Sequence, residues 1–211
     1  MKTFDVIALG ELNVDLILNR IAGFPEVGKE IFARDMICTL GSSTAIFAAN
    51  VSALGARTAF AGMIGRDAFG ELVRGSLEAR GVDTRYVIEA ADRATGVTVV
   101  MSYGEDRANV TYPGAMEALR FADLDPEIFL SARHIHLSSL FMQPGLLADI
   151  VPILRAAHDG GATVSLDTQW DPAEEWRIDC REVLPLIDVF MPNEAELTAL
   201  AHAASLDEAI G

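Results

Sequence analysis

Short apolar runs alternate with amphipathic segments along most of this chain. Phe4 to Leu9 is apolar apart from Asp5 and predicts a buried strand, which Val14 to Leu18 continues. Gly23 to Gly28 reads as a loop, and Glu30 to Leu40 is irregular with some strand character. Ser43 to Leu54 is apolar and rich in small residues, and Gly55 suits the position just past a helix end. Arg57 to Ala61 predicts a strand and Gly62 to Asp67 a turn. Asp67 is placed to cap a helix over Ala68 to Arg80, which Gly81 ends.

The middle of the chain has a different period. Thr95 to Tyr103 and Arg107 to Tyr112 are β-rich and flank Gly104-Glu105-Asp106, the pattern of a hairpin. With Glu30 to Leu40 this hairpin predicts a small sheet apart from the main one. Alternation then resumes. Strands are predicted at His134 to Ser138, Ala162 to Leu166 and Val189 to Met191. Helical segments are predicted at Leu146 to His158, Val183 to Ile187 and Asn193 to Ala203. Repeated β-then-α units imply a mostly parallel sheet flanked by helices. No internal repeat, low-complexity tract or linker interrupts the 211 residues, which are read as one α/β domain.

Composition narrows the function. The formal net charge of −15 repels phosphodiester backbones and argues against general nucleic-acid binding. Two widely spaced cysteines, Cys38 and Cys180, argue against a disulfide framework and fit a cytoplasmic protein. No signal-peptide pattern and no apolar run near ~20 residues is present, so no membrane partner is expected.

Several polar groups follow predicted strands, where open α/β sheets collect ligands. Asn13 and Asp15 share one strand face, and an amide beside a carboxylate suits vicinal hydroxyls. Gly41-Ser42 precedes a helix whose first N–H groups can bind oxygen, but taken alone the step reads first as an ordinary Ser/Thr cap. Asp167 and Gln169 follow another strand and are read equally as cleft residues or as capping and loop residues. Asn193 and Glu196 open a helix at i, i+3, a spacing suited to a hydrated metal or a phosphate. The glycines of Gly62-x-x-Gly65-x-Asp67-x-x-Gly70 fit neither a dinucleotide fingerprint nor a Walker A loop and are read as turn and packing residues. His134 and His136 share a strand face but lack a third ligand, so they are read as structural.

The ordered set resembles the ribokinase/PfkB family of carbohydrate kinases over essentially the whole chain. It comprises Gly10-Glu11-x-Asn13-x-Asp15, Phe24-Pro25 with Gly28, Gly41-Ser42 and Leu54-Gly55-Ala56. Further along come Gly62-x-x-Gly65-x-Asp67-x-x-Gly70, Thr95-Gly96, Pro113-Gly114-Ala115, Ser165-Leu166-Asp167 and Pro192-Asn193-Glu194-x-Glu196. The resemblance implies a Rossmann-like ribokinase fold with a small β-sheet lid, drawn from parts of 14–40 and 95–113. It implies ATP as phosphoryl donor and Mg²⁺ as metal. Asn13, Asp15, Gly41 and Ser42 would contact the sugar, with Asn109, Asp167 and Gln169 as further substrate candidates. Asn193 and Glu196 would serve the nucleotide phosphates, with Glu196 near the metal. Ser42 and Ile46 stand where members often carry Gly and Asn, which leaves the recognised hydroxyl pattern open.

The family's G-A-G-D-type segment, with its catalytic base, is not found in these residues. Ser205-Leu206-Asp207-Glu208 has the form of a capping box that opens a helix just before Gly211. The expectation is therefore an ATP-dependent sugar kinase seen in an incomplete, inactive form. The competing expectation is a non-catalytic sugar-binding or regulatory module on the same fold. A nicotinamide oxidoreductase is disfavoured because the first strand–helix junction lacks G-x-G-x-x-G. The exposed edges of the lid predict a homodimer through it.

Overall fold

A computed structural model describes residues 2–210. The chain begins with β1 (Phe4–Leu9), β2 (Asn13–Asn19) and β3 (Asp35–Leu40). Helix α1 (Ser43–Ala53), β4 (Thr58–Gly65), α2 (Ala68–Glu78) and β5 (Asp83–Ala90) follow. The hairpin is β6 (Gly96–Tyr103) and β7 (Asp106–Tyr112). Then come α3 (Glu127–Ser131), β8 (Ala132–Ser138), α4 (Pro144–Ala148), α5 (Ile150–Asp159) and β9 (Thr163–Asp167). The last elements are α6 (Cys180–Val183), β10 (Val189–Phe190), α7 (Glu194–Leu200) and α8 (Leu206–Ile210).

Six strands form a parallel sheet in the order β10-β9-β8-β1-β4-β5. Ile7, Ala8 and Leu9 of β1 are wholly buried, as expected for a central strand covered on both faces. Ala45 and Ala48 of α1 pack with Val73 and Leu77 of α2 over one face. Phe129 of α3 and Ile153, Leu154 and Ala157 of α5 join the core on the other. Strands β4 and β5 lie to one side of β1, and β8, β9 and β10 to the other. The order therefore reverses between β1 and β8, which opens a crevice beyond the carboxyl ends of those strands.

The second sheet has four strands, β3-β2-β6-β7. β2 pairs in parallel with β6, while β3 and β7 pair antiparallel on the outside. Three expectations are corrected here, and one strand, β5, lies outside them. Val14 to Leu18 does not continue β1, because the chain leaves the main sheet at Gly10 and enters the smaller one. Gly62 to Gly65 is not a turn but the end of β4, paired with Val87 to Ala90 of β5. β5 itself was not anticipated. The predicted Leu146 to His158 helix divides at Asp149, which leaves helical geometry (φ −107°, ψ 13°) and pairs with Arg120.

Candidate functional site

The crevice between β1 and β8 is lined by residues the topology gathers from far apart. In β2, Val14 is buried in the core and Leu16 packs against it, so the alternate residues Asn13 and Asp15 face the cleft. The Asn13 amide donates to Asp15 Oδ1 at 3.0 Å and to Thr98 Oγ1 at 2.9 Å. Thr98 lies opposite Asp15 in the β2–β6 register and bonds Thr111 of β7 at 3.0 Å. A polar row thus crosses three strands. Burial raises the Asp15 carboxyl pKa, opposed by the Asn13 amide and by the nearby Arg107 guanidinium.

Beneath this row sits Glu11, a buried carboxylate that sequence reasoning did not single out. It accepts from Ser43 Oγ at 2.9 Å, from the Thr44 backbone N–H at 3.2 Å and from the Thr44 hydroxyl. Ser43 Oγ also bonds Ser138 and Ser139 at 2.8 and 2.7 Å. Glu11 therefore joins the end of β1, the start of α1 and the segment after β8. Burial pushes its carboxyl pKa up, and the Thr44 and Ser43 bonds oppose that shift. The available signal was its place in the Gly10-Glu11-x-Asn13-x-Asp15 motif, just past the end of a buried strand.

Ser42 caps α1. Its hydroxyl donates to Glu11 O at 2.7 Å and accepts from Ala45 N at 2.9 Å. It does so at φ +71°, a conformation that favours glycine. Ser139 and Gln169, which also line the cleft, take φ +51° and +55°. Non-glycine residues held in this region cluster at functional sites.

The cleft has a volume of about 220 Å³. That lies below the ~300–1,000 Å³ of drug-sized ligand pockets. It brings together Asn13, Asp15, Ser42, Asn109 and Gln169, with Gly41 against the Asn13 and Asp15 side chains. Asp167 stands one step back, accepting from the Gln169 side chain at 2.8 Å. Ile46 is exposed on α1 and does not line the cleft.

Asn193 and Glu196 are not in this cleft. Asn193 Oδ1 accepts from Glu196 N at 2.9 Å, and the Glu196 carboxylate accepts from Asn193 N at 3.1 Å and Nδ2 at 2.6 Å. This is a reciprocal cap of α7. Among the described residues, no group of three or more His, Cys, Asp or Glu side chains is placed to hold a metal. A single carboxylate fits a hydrated Mg²⁺ that takes its other ligands from water and phosphate, and does not fit a closed protein cage.

The Gly62-to-Gly70 motif ties the two sheets together. Asp67 Oδ1 accepts from Gly70 N at 2.8 Å and Thr95 Oγ1 at 2.7 Å, and Oδ2 from Thr95 N at 2.8 Å. Thr95 Oγ1 in turn accepts from Gly65 N at 2.9 Å. The motif therefore anchors the start of β6 to the end of β4. His134 and His136 share Ser165 Oγ at 2.7 and 2.8 Å, and His136 stacks on Phe47 of α1 at 3.7 Å between ring centroids.

A six-stranded parallel sheet flanked by helices, with a four-stranded sheet beside its switch point and a polar cleft between them, is the ribokinase-like fold. The chain belongs to the pfkB family of carbohydrate kinases, whose profile matches residues 3–210. It is 27% identical over 150 residues to an "Uncharacterized sugar kinase" of Archaeoglobus fulgidus, covering 71% of this chain and 59% of that protein. It is 31% identical over 179 residues to "Probable fructokinase-3" of Arabidopsis thaliana, covering 80% of this chain and 51% of that protein. The chain thus spans between half and two thirds of the length of these curated relatives. The Arabidopsis thaliana ribokinase solved with ribose and ATP superposes with a TM-score of 0.81 at 26% identity, covering 100% of this chain and 68% of that one.

Proposed function

We propose that the cleft binds one sugar unit, and that a protein of the relatives' length phosphorylates a hydroxyl of that sugar with ATP. The carrying observation is the Asn13–Asp15 pair at the strand-order reversal, extended by Thr98 and Thr111 into a row of donors and acceptors. Asp15 accepts from two neighbouring hydroxyls while Asn13 and Ser42 hold the ring beside it. Asn109, Gln169 and, through Gln169, Asp167 complete the binding set. The four-stranded sheet acts as a lid, because β2, β6 and β7 all supply residues to the cleft.

Glu11 acts as a positioning residue, setting Ser43 and the start of α1 against the floor. Asn193 and Glu196 would serve a nucleotide phosphate and a hydrated Mg²⁺, as the family resemblance implies. That ion, when bound, would neutralise phosphate charge. The ribose and ATP held by the Arabidopsis ribokinase support this donor and this acceptor class. The free cysteines Cys38 and Cys180 support a reducing, cytoplasmic setting.

A second reading is a sugar-binding or regulatory module without turnover. It is favoured by one observation, that every residue lining the cleft falls between Glu11 and Gln169. The test is calorimetry with ribose, fructose and glucose, paired with a coupled ADP-release assay on residues 1–211 and on a form extended to the relatives' length. Binding by both forms, with ATP turnover by the longer one, is expected. Binding with turnover by neither selects the module. Absence of binding by both overturns the sugar site.

A further inference from the structure

One hydroxyl in the cleft has its proton direction set from inside the protein. Ser43 Oγ lies 2.9 Å from Glu11 Oε1, 2.8 Å from Ser138 Oγ and 2.7 Å from Ser139 Oγ. A serine hydroxyl has one proton to give and two lone pairs to accept with. The Ser43 proton goes to Glu11, because a hydrogen bond to a carboxylate is the strongest of the three. The direction is the same if Glu11 takes up a proton at Oε2, where the Thr44 hydroxyl can turn to accept it. Both lone pairs of Ser43 are then filled by the protons of Ser138 and Ser139. Gln143 Nε2 holds this pair in place, donating to Ser138 O at 2.9 Å and Ser139 O at 3.2 Å.

Ser139 lines the cleft, yet its proton points away into the protein, so it shows a ligand lone pairs alone. Asn13 and Asp15 in the same cleft share this polarity. Both amide protons of Asn13 are committed, one to Asp15 and one to Thr98, and the Asp15 carboxylate only accepts. We propose that Ser139 is a specificity-determining residue of the sugar cleft, accepting from one ligand hydroxyl and rejecting at that point any group without a proton to give. Glu11 and Ser43 are the positioning residues that fix its direction. This rests on the sugar-binding reading above and deepens it. A hydroxyl satisfies Ser139, whereas a fluorine, an ether or a carbonyl oxygen sets lone pair against lone pair.

The experiment is calorimetry with ribose and fructose and with the singly deoxygenated and singly fluorinated derivatives of each. The proteins are the parent, Ser139→Gly, Ser43→Ala and Ser138→Ala. Ser139→Gly deletes the hydroxyl at φ +51°, which glycine adopts freely. It identifies the ligand hydroxyl concerned as the one whose deoxy penalty disappears. At that hydroxyl, the parent is expected to bind the deoxy derivative about two- to tenfold more weakly than the sugar, and the fluoro derivative no better than the deoxy one. Ser43→Ala releases the Ser139 proton, so the fluoro derivative is expected to become the tighter of the two by about twofold or more. Ser138→Ala leaves the Ser43–Ser139 bond in place and is expected to keep the parent's order. A purely structural effect would weaken all derivatives alike.

A deoxy penalty that Ser139→Gly removes at no position overturns the proposal and leaves the sugar site standing. So does a parent that binds the fluoro derivative more tightly than the deoxy one at the hydroxyl concerned. A folded Ser43→Ala that keeps the parent's order overturns the assignment of direction to Glu11 and Ser43. If Ser43→Ala does not fold, the parent and Ser139→Gly decide whether Ser139 only accepts. Binding of neither ribose nor fructose nor any derivative overturns this proposal and the sugar site together.

Discussion

The Asp15 carboxylate occupies the space that a side chain at Gly41 would need. A Cβ built at Gly41 collides with the Asp15 carboxylate and the Asn13 amide, so the glycine is required by close approach and not by its own dihedral angles. The Asn13–Asp15 pair therefore packs directly against the bare Cα of Gly41. Gly41→Ala should destabilise the fold by ~1–3 kcal/mol, the usual range for overpacking, and should displace Asp15. Sugar affinity should fall by about as much as in Asp15→Ala, which loses a charged acceptor and should bind ten- to a hundredfold more weakly (roughly 1.5–3 kcal/mol). Calorimetry and denaturant titration on both variants separate the two effects. Wild-type affinity in Asp15→Ala would remove that residue from the site.

Ser42 offers a contrast between two small substitutions. Its backbone at φ +71° costs of order 1 kcal/mol in a non-glycine residue, while its hydroxyl makes two hydrogen bonds worth ~0.5–1.5 kcal/mol each. Ser42→Gly relieves the strain as it loses the bonds, and should leave stability within about 1 kcal/mol of the parent. Ser42→Ala keeps the strain and loses the bonds, and should cost ~1–3 kcal/mol. Urea midpoints on the pair check the order. A glycine variant less stable than the alanine variant would contradict the strain argument.

His136 should make stability fall in mild acid. Burial first, and then the neighbouring His134, lower its pKa to about 4 in the folded protein, against 6.5 for an ordinary histidine. The neutral ring is favoured by folding, so the unfolded chain binds the extra proton. Its contribution is complete above pH 6.5 and is lost as pH falls from there toward 4, by roughly 3 kcal/mol in total. Chemical denaturation at pH 7.5 and pH 5 measures the change. His136→Phe keeps the stack on Phe47 and should flatten the difference, while leaving contributions from Glu11 in place. An unchanged pH profile in that variant would show that other groups carry the loss.

The outer strands of the small sheet offer a self-association surface. Met36 and Ile37 on β3 and Val110 and Tyr112 on β7 are exposed apolar residues on unpaired edges. Such edges invite pairing with a second copy. Light scattering should report a homodimer that Ile37→Lys shifts toward monomer without loss of fold. A wild-type monomer across the accessible concentration range would exclude the lid-mediated dimer.

What the sequence alone determined is local. The β-then-α alternation, the Asp67 cap, the glycine after α1 and the β6–β7 hairpin all depend on neighbouring residues, through strand and helix periods or through a side chain reaching the next turn. The Asn13–Asp15 pair was legible for the same reason, since two residues one apart on a strand share a face. Strand β5 was missed because Asp83, Arg85 and Glu89 break the apolar run that pairing with β4 supports. The tertiary structure decided the rest. It sent β2 into a second sheet and set Asn13 against Thr98, 85 residues away. It also buried Glu11 under Ser43 and Gln143, the latter 132 residues distant. No local period encodes these contacts, because they exist only once packing of the two sheets has brought the strand ends together.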